Sequence, residues 1–254
     1  MKTPHKYKDM RPIALTFHLG KITERVISDL IKGDLPKMRN QYSYTKELST
    51  TDALVKFSSD ISAGLDKTDT VTLQALLLDF SKSFDRMRPD IAVFKLLSLN
   101  VSPSRQPQVK SQENHQRRTR AELGVPLGKI LGTLLWNVFL NNLEPSTSHI
   151  KYADDTTLYN AVRLGDVEIS YSTAYRATIS FTQNPLQEAA SYAAAWCDSN
   201  EMLLNTTKSM CISFTLQKHL TVEPITINGC IIEQKNEVKL FGVTLDSHMR
   251  SQHM

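Results

Sequence analysis

Tyr152-Ala153-Asp154-Asp155 is the stretch that decides how this chain reads. Ile150 and Tyr152 before it, with Leu158 and Tyr159 after it, look like the two arms of a β-hairpin, which sets the carboxylates at its tip. Carboxylates displayed on a rigid turn suit Mg²⁺, a hard cation that prefers oxygen ligands and keeps room for substrate phosphates. Four residues alone decide little, because Asp-Asp pairs are usually solvated turns. The second observation lies upstream, in Leu76-Leu77-Leu78-Asp79-Phe80. The run from Val71 to Phe80 is apolar, β-branched at its start, and carries an acid near its end. That is the pattern of a buried strand delivering one carboxylate to a sheet edge. Taken singly, Asp79 reads first as a helix N-cap. Two buried strands each presenting an acid favour a metal, since like charges held close together repel unless a divalent ion neutralises them.

Composition agrees without deciding. The chain has 254 residues, is 41% hydrophobic and carries a formal net charge of +4. This length can bury one sizeable core, or one domain with part of a second lobe. The mild basicity is compatible with nucleic acid and equally common in bland soluble proteins. Cys197, Cys211 and Cys230 have neither an even count nor metal-ligand spacing, and read as reduced thiols of an intracellular protein, nuclear or cytoplasmic. No apolar run reaches membrane-spanning length, and Met1 opens onto a polar, basic stretch without a signal-peptide core.

Periodicity orders the elements. Ile22, Val26, Ile27, Leu30 and Ile31 share one helical face, closed by Gly33 and Pro36. A second helix starts near Ser49-Thr50, with Ala53, Leu54, Phe57 and Ile61 inward. After the Asp79 strand comes a helix carrying Ile91, Phe94, Leu96 and Leu97, then a buried one through Ile130, Leu131, Leu134, Leu135 and Val138. A helix from Pro185 to Asn200 follows the Asp-Asp hairpin, its proline suited to a first turn. Ser209 to Thr215, Ile225 to Ile232 and Val238 to Leu245 read as strands. Strands with helices packed on one face give an α+β fold. Ser102 to Glu122, with Arg105, Lys110, Arg117, Arg118 and Arg120 but almost no apolar residues, reads as a solvated loop ahead of a dedicated nucleic-acid patch. Gly165 to Gln183, rich in Ser and Thr, is a second loop candidate.

Three segments carry a family resemblance: Asp79-Phe-Ser-Lys-Ser-Phe84-Asp85, Gly124-Val-Pro-Leu-Gly128-Lys-Ile-Leu-Gly132-Thr-Leu-Leu-Trp136-Asn, and Tyr152-Ala-Asp-Asp-Thr-Thr-Leu-Tyr159. They resemble successive palm motifs of reverse transcriptases from non-LTR (LINE-type) retrotransposons. Arg11-Pro-Ile-Ala-Leu-Thr16 with Lys21-Ile-Thr-Glu-Arg-Val26 looks like the first fingers motif. Gln41-Tyr-Ser-Tyr44 with Ser49-Thr-Thr-Asp-Ala-Leu54 looks like the second. Trp196-Cys-Asp-Ser-Asn200, Leu204-Asn205 and Lys208 look like the fourth palm motif, and Val238-Lys-Leu-Phe-Gly-Val-Thr-Leu-Asp246 like the primer-grip region.

The resemblance implies a right-hand polymerase fold. Partial fingers would occupy residues 1–70 and the palm 71–254, with an irregular basic loop at 101–123 and the thumb absent. It implies an RNA-directed DNA polymerase that joins a dNTP to a DNA primer on an RNA template by two-metal transfer, with Mg²⁺ or Mn²⁺ as cofactor. Asp79 and Asp154 match the principal metal ligands and Asp155 a supporting acid. Phe80, Phe84, Arg11 and Gly128 match nucleotide-binding positions. Phe84 is placed as a steric gate against the 2′-hydroxyl, though an ordinary core aromatic reads the same. Arg11 would reach the triphosphate. Lys208 is a candidate general acid, with a surface lysine as the competing reading. Phe241 and Gly242 fall in the primer-grip region. Leu127 stands where the family has glutamine, Lys129 where it has Ser or Thr, Thr133 for proline and Glu47 for glycine. A catalytically silent remnant that binds nucleic acid weakly is the alternative function. A nucleotide cyclase on a similar palm ranks last, because it leaves the Arg11 and Gln41 segments unexplained.

Overall fold

The computed structural model describes residues 17–33, 35–36, 38–99, 130–171, 177–216 and 220–248. The expected basic loop at 101–123 lies outside these residues, as do Arg11, Leu127, Gly128 and Lys129. The chain divides into two compact units, one from Met1–Arg39 and Lys82–Asn142, the other from Asn40–Ser81 and Leu143–Met254.

The second unit is organised by β1 (Thr70–Leu78), in which every residue from Val71 to Leu78 is buried. A strand buried on both sides needs cover on both sides. It is the middle of a five-stranded sheet in the order β10 (Glu233–Lys235), β6 (Met210–Phe214), β1, β3 (Asp155–Arg163), β2 (Ser148–Tyr152). All neighbours are antiparallel except β10 with β6. Leu73, Ala75 and Leu77 point to one face and form the main core with Ala53, Phe57 and Ile61 of helix α2 (Thr50–Leu65). Phe57 meets Tyr159 and Phe214 edge-on, at ring-centre distances of 5.1 and 6.0 Å. Helix α6 (Pro185–Ser199) packs on β1 and β3, with Trp196 edge-on to Phe80, on the face to which Leu76 and Leu78 point. Helices therefore cover both faces, where the sequence reading expected one.

Local chemistry starts these helices as expected. Ser49 and Asp52 form a capping box at α2, each side chain satisfying the other's backbone N–H. Pro185 opens α6, while the Asn184 side chain accepts from the N–H groups of Leu186 and Gln187.

Three expectations need correction. Gly165 to Gln183 is not simply a loop: β4 (Val167–Tyr171) and β5 (Ala177–Phe181) pair there, joined by β7 (Leu220–Val222). Val167, Ile169 and Phe181 pack around Val71, Val162 and Ile179, while the intervening Ser and Thr, which mimic a loop composition, face outward. Ile225 to Ile232 is a hairpin of β8 (Thr226–Ile227) and β9 (Cys230–Ile231). Asn228 and Gly229 turn it with φ of +49° and +76°, the two left-handed residues that a tight hairpin demands. Val238 to Leu245 likewise splits into β11 (Glu237–Leu240) and β12 (Val243–Asp246), turned by Phe241 and Gly242 at +49° and +92°.

The first unit contains α1 (His18–Lys32), α3 (Ser83–Arg86), α4 (Pro89–Ser98) and α5 (Ile130–Leu140). Helix α5 packs on α1 and α4 through Ile31, Leu96, Leu134 and Val138. Ile22, Val26 and Leu30 share a helix as read, but remain exposed; of that set Ile31 is buried. The N–H of Ile130, at the start of α5, donates to the Glu24 carboxylate at 3.0 Å. A side chain from another helix thus serves this end of α5.

Glu47, which the resemblance sets against a glycine, adopts φ +66°. A left-handed backbone is what glycine takes without strain and glutamate does not. Glu47→Gly is therefore expected to stabilise the fold by about 0.5–1 kcal/mol. Urea unfolding with an unchanged slope and a higher midpoint would show it.

Candidate active site

The register of β1 on β3 builds the site. Leu77 pairs with Thr157 and Leu78 with Thr156, so one further step along each strand places Asp79 beside Asp155. Tyr152 pairs with Asp155 across the β2–β3 turn, leaving Ala153 and Asp154 as its two central residues. Ala153 has φ +55°, a left-handed conformation that suits the first central position of a tight hairpin turn. Asp79 and Asp155 line one open cleft of about 100 Å³, together with Lys208, Lys239 and Phe241. Asp154 stands next to it on the turn.

Electrostatics mark the cleft. The Asp155 carboxyl is pushed up to about 6, first by desolvation, then by the charges of Asp154 and Asp79. Asp155 is nonetheless exposed to solvent, so water screens much of this effect. Among the described residues no three His, Cys, Asp or Glu side chains converge into a ready cluster for an ion. The donor chemistry nevertheless suits one: Asp79 and Asp155 line the cleft beside Asp154, and the charges of Asp154 and Asp79 raise Asp155, a repulsion that a divalent cation would relieve.

Buried polar contacts hold the turn from behind. Lys151, wholly buried, donates from Nζ to the Leu143 carbonyl at 3.0 Å and to Glu144 Oε1 at 2.8 Å. Desolvation pulls its ammonium below the usual lysine range, and Glu144 opposes that fall. Its main chain pairs with the segment before α2: Lys151 N–H donates to the Asn40 carbonyl, and Tyr42 N–H to the Lys151 carbonyl. Tyr152 meets Phe241 at 5.2 Å, which seats the β11–β12 turn against the Asp-Asp hairpin.

The other expected site residues fall as follows. Lys208 and Phe241 share the carboxylate cleft, and Gly242 completes the turn after Phe241. Phe80 is 5% exposed, its ring on Trp196. Phe84, on α3, lies against Trp136 at 4.7 Å. Arg11 and Gly128 lie outside the described residues. Lys239 was not singled out by sequence, although the signal was there: in β11, Val238 and Leu240 are buried, and alternation turns Glu237 and Lys239 outward.

A family model described as reverse transcriptase (RNA-dependent DNA polymerase) matches residues 2–245. The chain belongs to the reverse transcriptase family. Its similarity to the probable RNA-directed DNA polymerase from transposon BS of Drosophila melanogaster is 27% identity, over 98% of this chain and 28% of that protein. The RNA-directed DNA polymerase from mobile element jockey of Drosophila funebris is 24% identical, over 96% of this chain and 28% of its own length. This reverse transcriptase domain thus spans about 28% of the length of the curated relatives it matches. Those mobile-element relatives agree with the LINE-type motifs. A solved structure of telomerase from Candida albicans, in complex with a fragment of telomeric RNA, is 12% identical with a TM-score of 0.47, covering 90% of this chain and 36% of that one. No described helix is long and apolar enough to cross a membrane.

The raised Asp155 carboxyl has a stability consequence with a definite sign. Its folded value of about 6 lies above the ordinary 3.8, so the native state binds this proton more tightly than the unfolded state does. The ionised group therefore opposes folding above pH 6, and the penalty disappears as pH falls through that window towards 3.8. Without added metal, Asp155→Asn is expected to melt higher than the parent at pH 7.5, with the gap closing at acid pH. A gap independent of pH would contradict the assigned repulsion.

Proposed function

We propose that this chain is the polymerase core of an intracellular RNA-directed DNA polymerase, working in the nucleus or cytoplasm. It would join dNTPs to a DNA primer on an RNA template, with residues 71–254 serving as palm and 1–70 as partial fingers. The observation that carries this reading is the carboxylate cleft at the end of the β1–β3 ladder, in a chain of the reverse transcriptase family.

Asp79 and Asp154 would hold Mg²⁺ or Mn²⁺, with Asp155 in support. Two such ions bound there supply activation of the primer 3′-hydroxyl and neutralisation of the triphosphate. The remaining work falls to the protein. Lys208, which lines the cleft with Asp79, would give a proton to the departing pyrophosphate. Phe80 would offer the nucleotide its main chain, since its ring is buried. Phe84, backed by Trp136, would form a firm wall against a 2′-hydroxyl. Arg11 would clamp the triphosphate and Gly128 admit the nucleotide closely. Phe241 and Gly242, steadied by Tyr152, would seat the primer end.

A second reading, the catalytically silent remnant, is favoured by Leu127, which cannot make the hydrogen bond of the family glutamine. Losing one such bond costs about 1–3 kcal/mol, or roughly ten- to a hundredfold in nucleotide affinity. Extension of oligo-dT on poly-A with Mn²⁺ separates the two. The chain as it stands is expected to extend feebly, and Leu127→Gln with Lys129→Ser, fused to a family thumb, to extend measurably. Adding Asp154→Asn to that variant is expected to reduce synthesis by about a thousandfold. Extension that survives Asp154→Asn would contradict the site, and a folded but inactive repaired variant would establish the remnant.

A further inference from the structure

The end of β1 is stitched to the segment from Leu203 to Ser209, which carries Lys208. Ser81 N–H donates to the Leu203 carbonyl at 2.8 Å, and Asn205 N–H to the Asp79 carbonyl at 2.7 Å. The remaining main-chain group of Asp79, its N–H, donates to Ser209 Oγ at 3.1 Å. That hydroxyl in turn donates to the Asn205 carbonyl at 3.0 Å, an oxygen that also receives the N–H groups of Lys208 and Ser209. Ser209 is 1% exposed. Both polar main-chain groups of Asp79 are therefore held by one turn, and the hydroxyl closing that turn neighbours Lys208 in sequence.

We propose that Ser209 is a positioning residue that makes Asp79 and the Lys208 turn one rigid unit, fixing carboxylate and ammonium on the walls of the cleft they share. A buried hydroxyl that both accepts and donates is suited to this, because its orientation is set from both ends. Without it the Asp79 N–H loses its partner, and the turn is free to shift against the strand. Groups that orient a ligand in this way typically set metal affinity by roughly 10–100-fold. The inference rests on the polymerase reading for its metal arm alone.

Amide hydrogen exchange tests the coupling with no metal present. Ser209→Ala is expected to speed exchange at both Asp79 and Asn205 by about tenfold or more, leaving Leu77 within the ladder unchanged. Ser209→Thr, which keeps the hydroxyl, is expected to retain the parent rates. Titration of Mn²⁺ by its paramagnetic resonance signal tests the consequence, with Ser209→Ala binding about tenfold more weakly. Ser213→Ala is the structural control. Ser213 is also a buried serine, on β6, and its Oγ accepts from Gln234 at 3.0 Å; its loss is expected to lower the melting temperature without changing Mn²⁺ affinity. Faster exchange at Asp79 alone, or an equal loss of Mn²⁺ affinity in Ser213→Ala, would overturn the proposal. If the parent binds no Mn²⁺, the carboxylate reading fails while the coupling is still decided by the exchange rates.

Discussion

Backbone pairing between β1 and β3 is the constraint on which the other features depend. The ladder runs from Thr70–Arg163 to Leu78–Thr156, and its end delivers Asp79 and Asp155 to the same point. Side chains alternate with a period of two, so a slip of one residue would turn Leu73, Ala75 and Leu77 away from α2 and carry Asp79 out of reach of its partner. Core packing and site geometry are therefore one choice of register. The apolar cluster around Phe57 holds that register against the repulsion it creates between carboxylates.

Strain and burial gather around the Asp-Asp turn. Ala153 is left-handed within it, as are Asn40, Tyr44 and Glu47 in the segment that pairs with Lys151. Such conformations persist only where the surroundings over-determine them. Here the surroundings are the buried Lys151 ammonium on Glu144 and Leu143, the Asn40 amide on His149 Nε2, and the Tyr152–Phe241 contact. A turn braced in this way presents its acids in one orientation before any ligand arrives, which is the condition for electrostatic work at low reorganisation cost.

Much of this was legible in the residues. The acid after an apolar run marked β1, the alternation around Asp154 marked the hairpin, and Ser49 and Pro185 marked two helix starts, because each signal is local and has one dominant physical reading. Gly165 to Gln183 was misread because Ser and Thr on the solvent face of a short strand resemble a loop. The Phe241 turn hid inside an apolar run, since a phenylalanine in left-handed backbone carries no turn signature. The exposure of Ile22, Val26 and Leu30 was equally invisible, because periodicity gives a face and not what covers it. Ser209 escaped for a different reason: its meaning lies in the hydrogen bond to Asp79, far away in sequence.

The proposed activity depends on the carboxylates at the end of the β1–β3 ladder forming a cation site. Thermal melting of the chain in Mg²⁺, against the same chain with Asp79→Asn and Asp154→Asn, tests it most directly, since a ligand bound to the native state alone raises the melting temperature. A saturable rise with Mg²⁺ is expected in the parent and none in the double variant, which should melt at or above the metal-free parent. A parent melting curve indifferent to Mg²⁺, or an equal rise in both proteins, would contradict it.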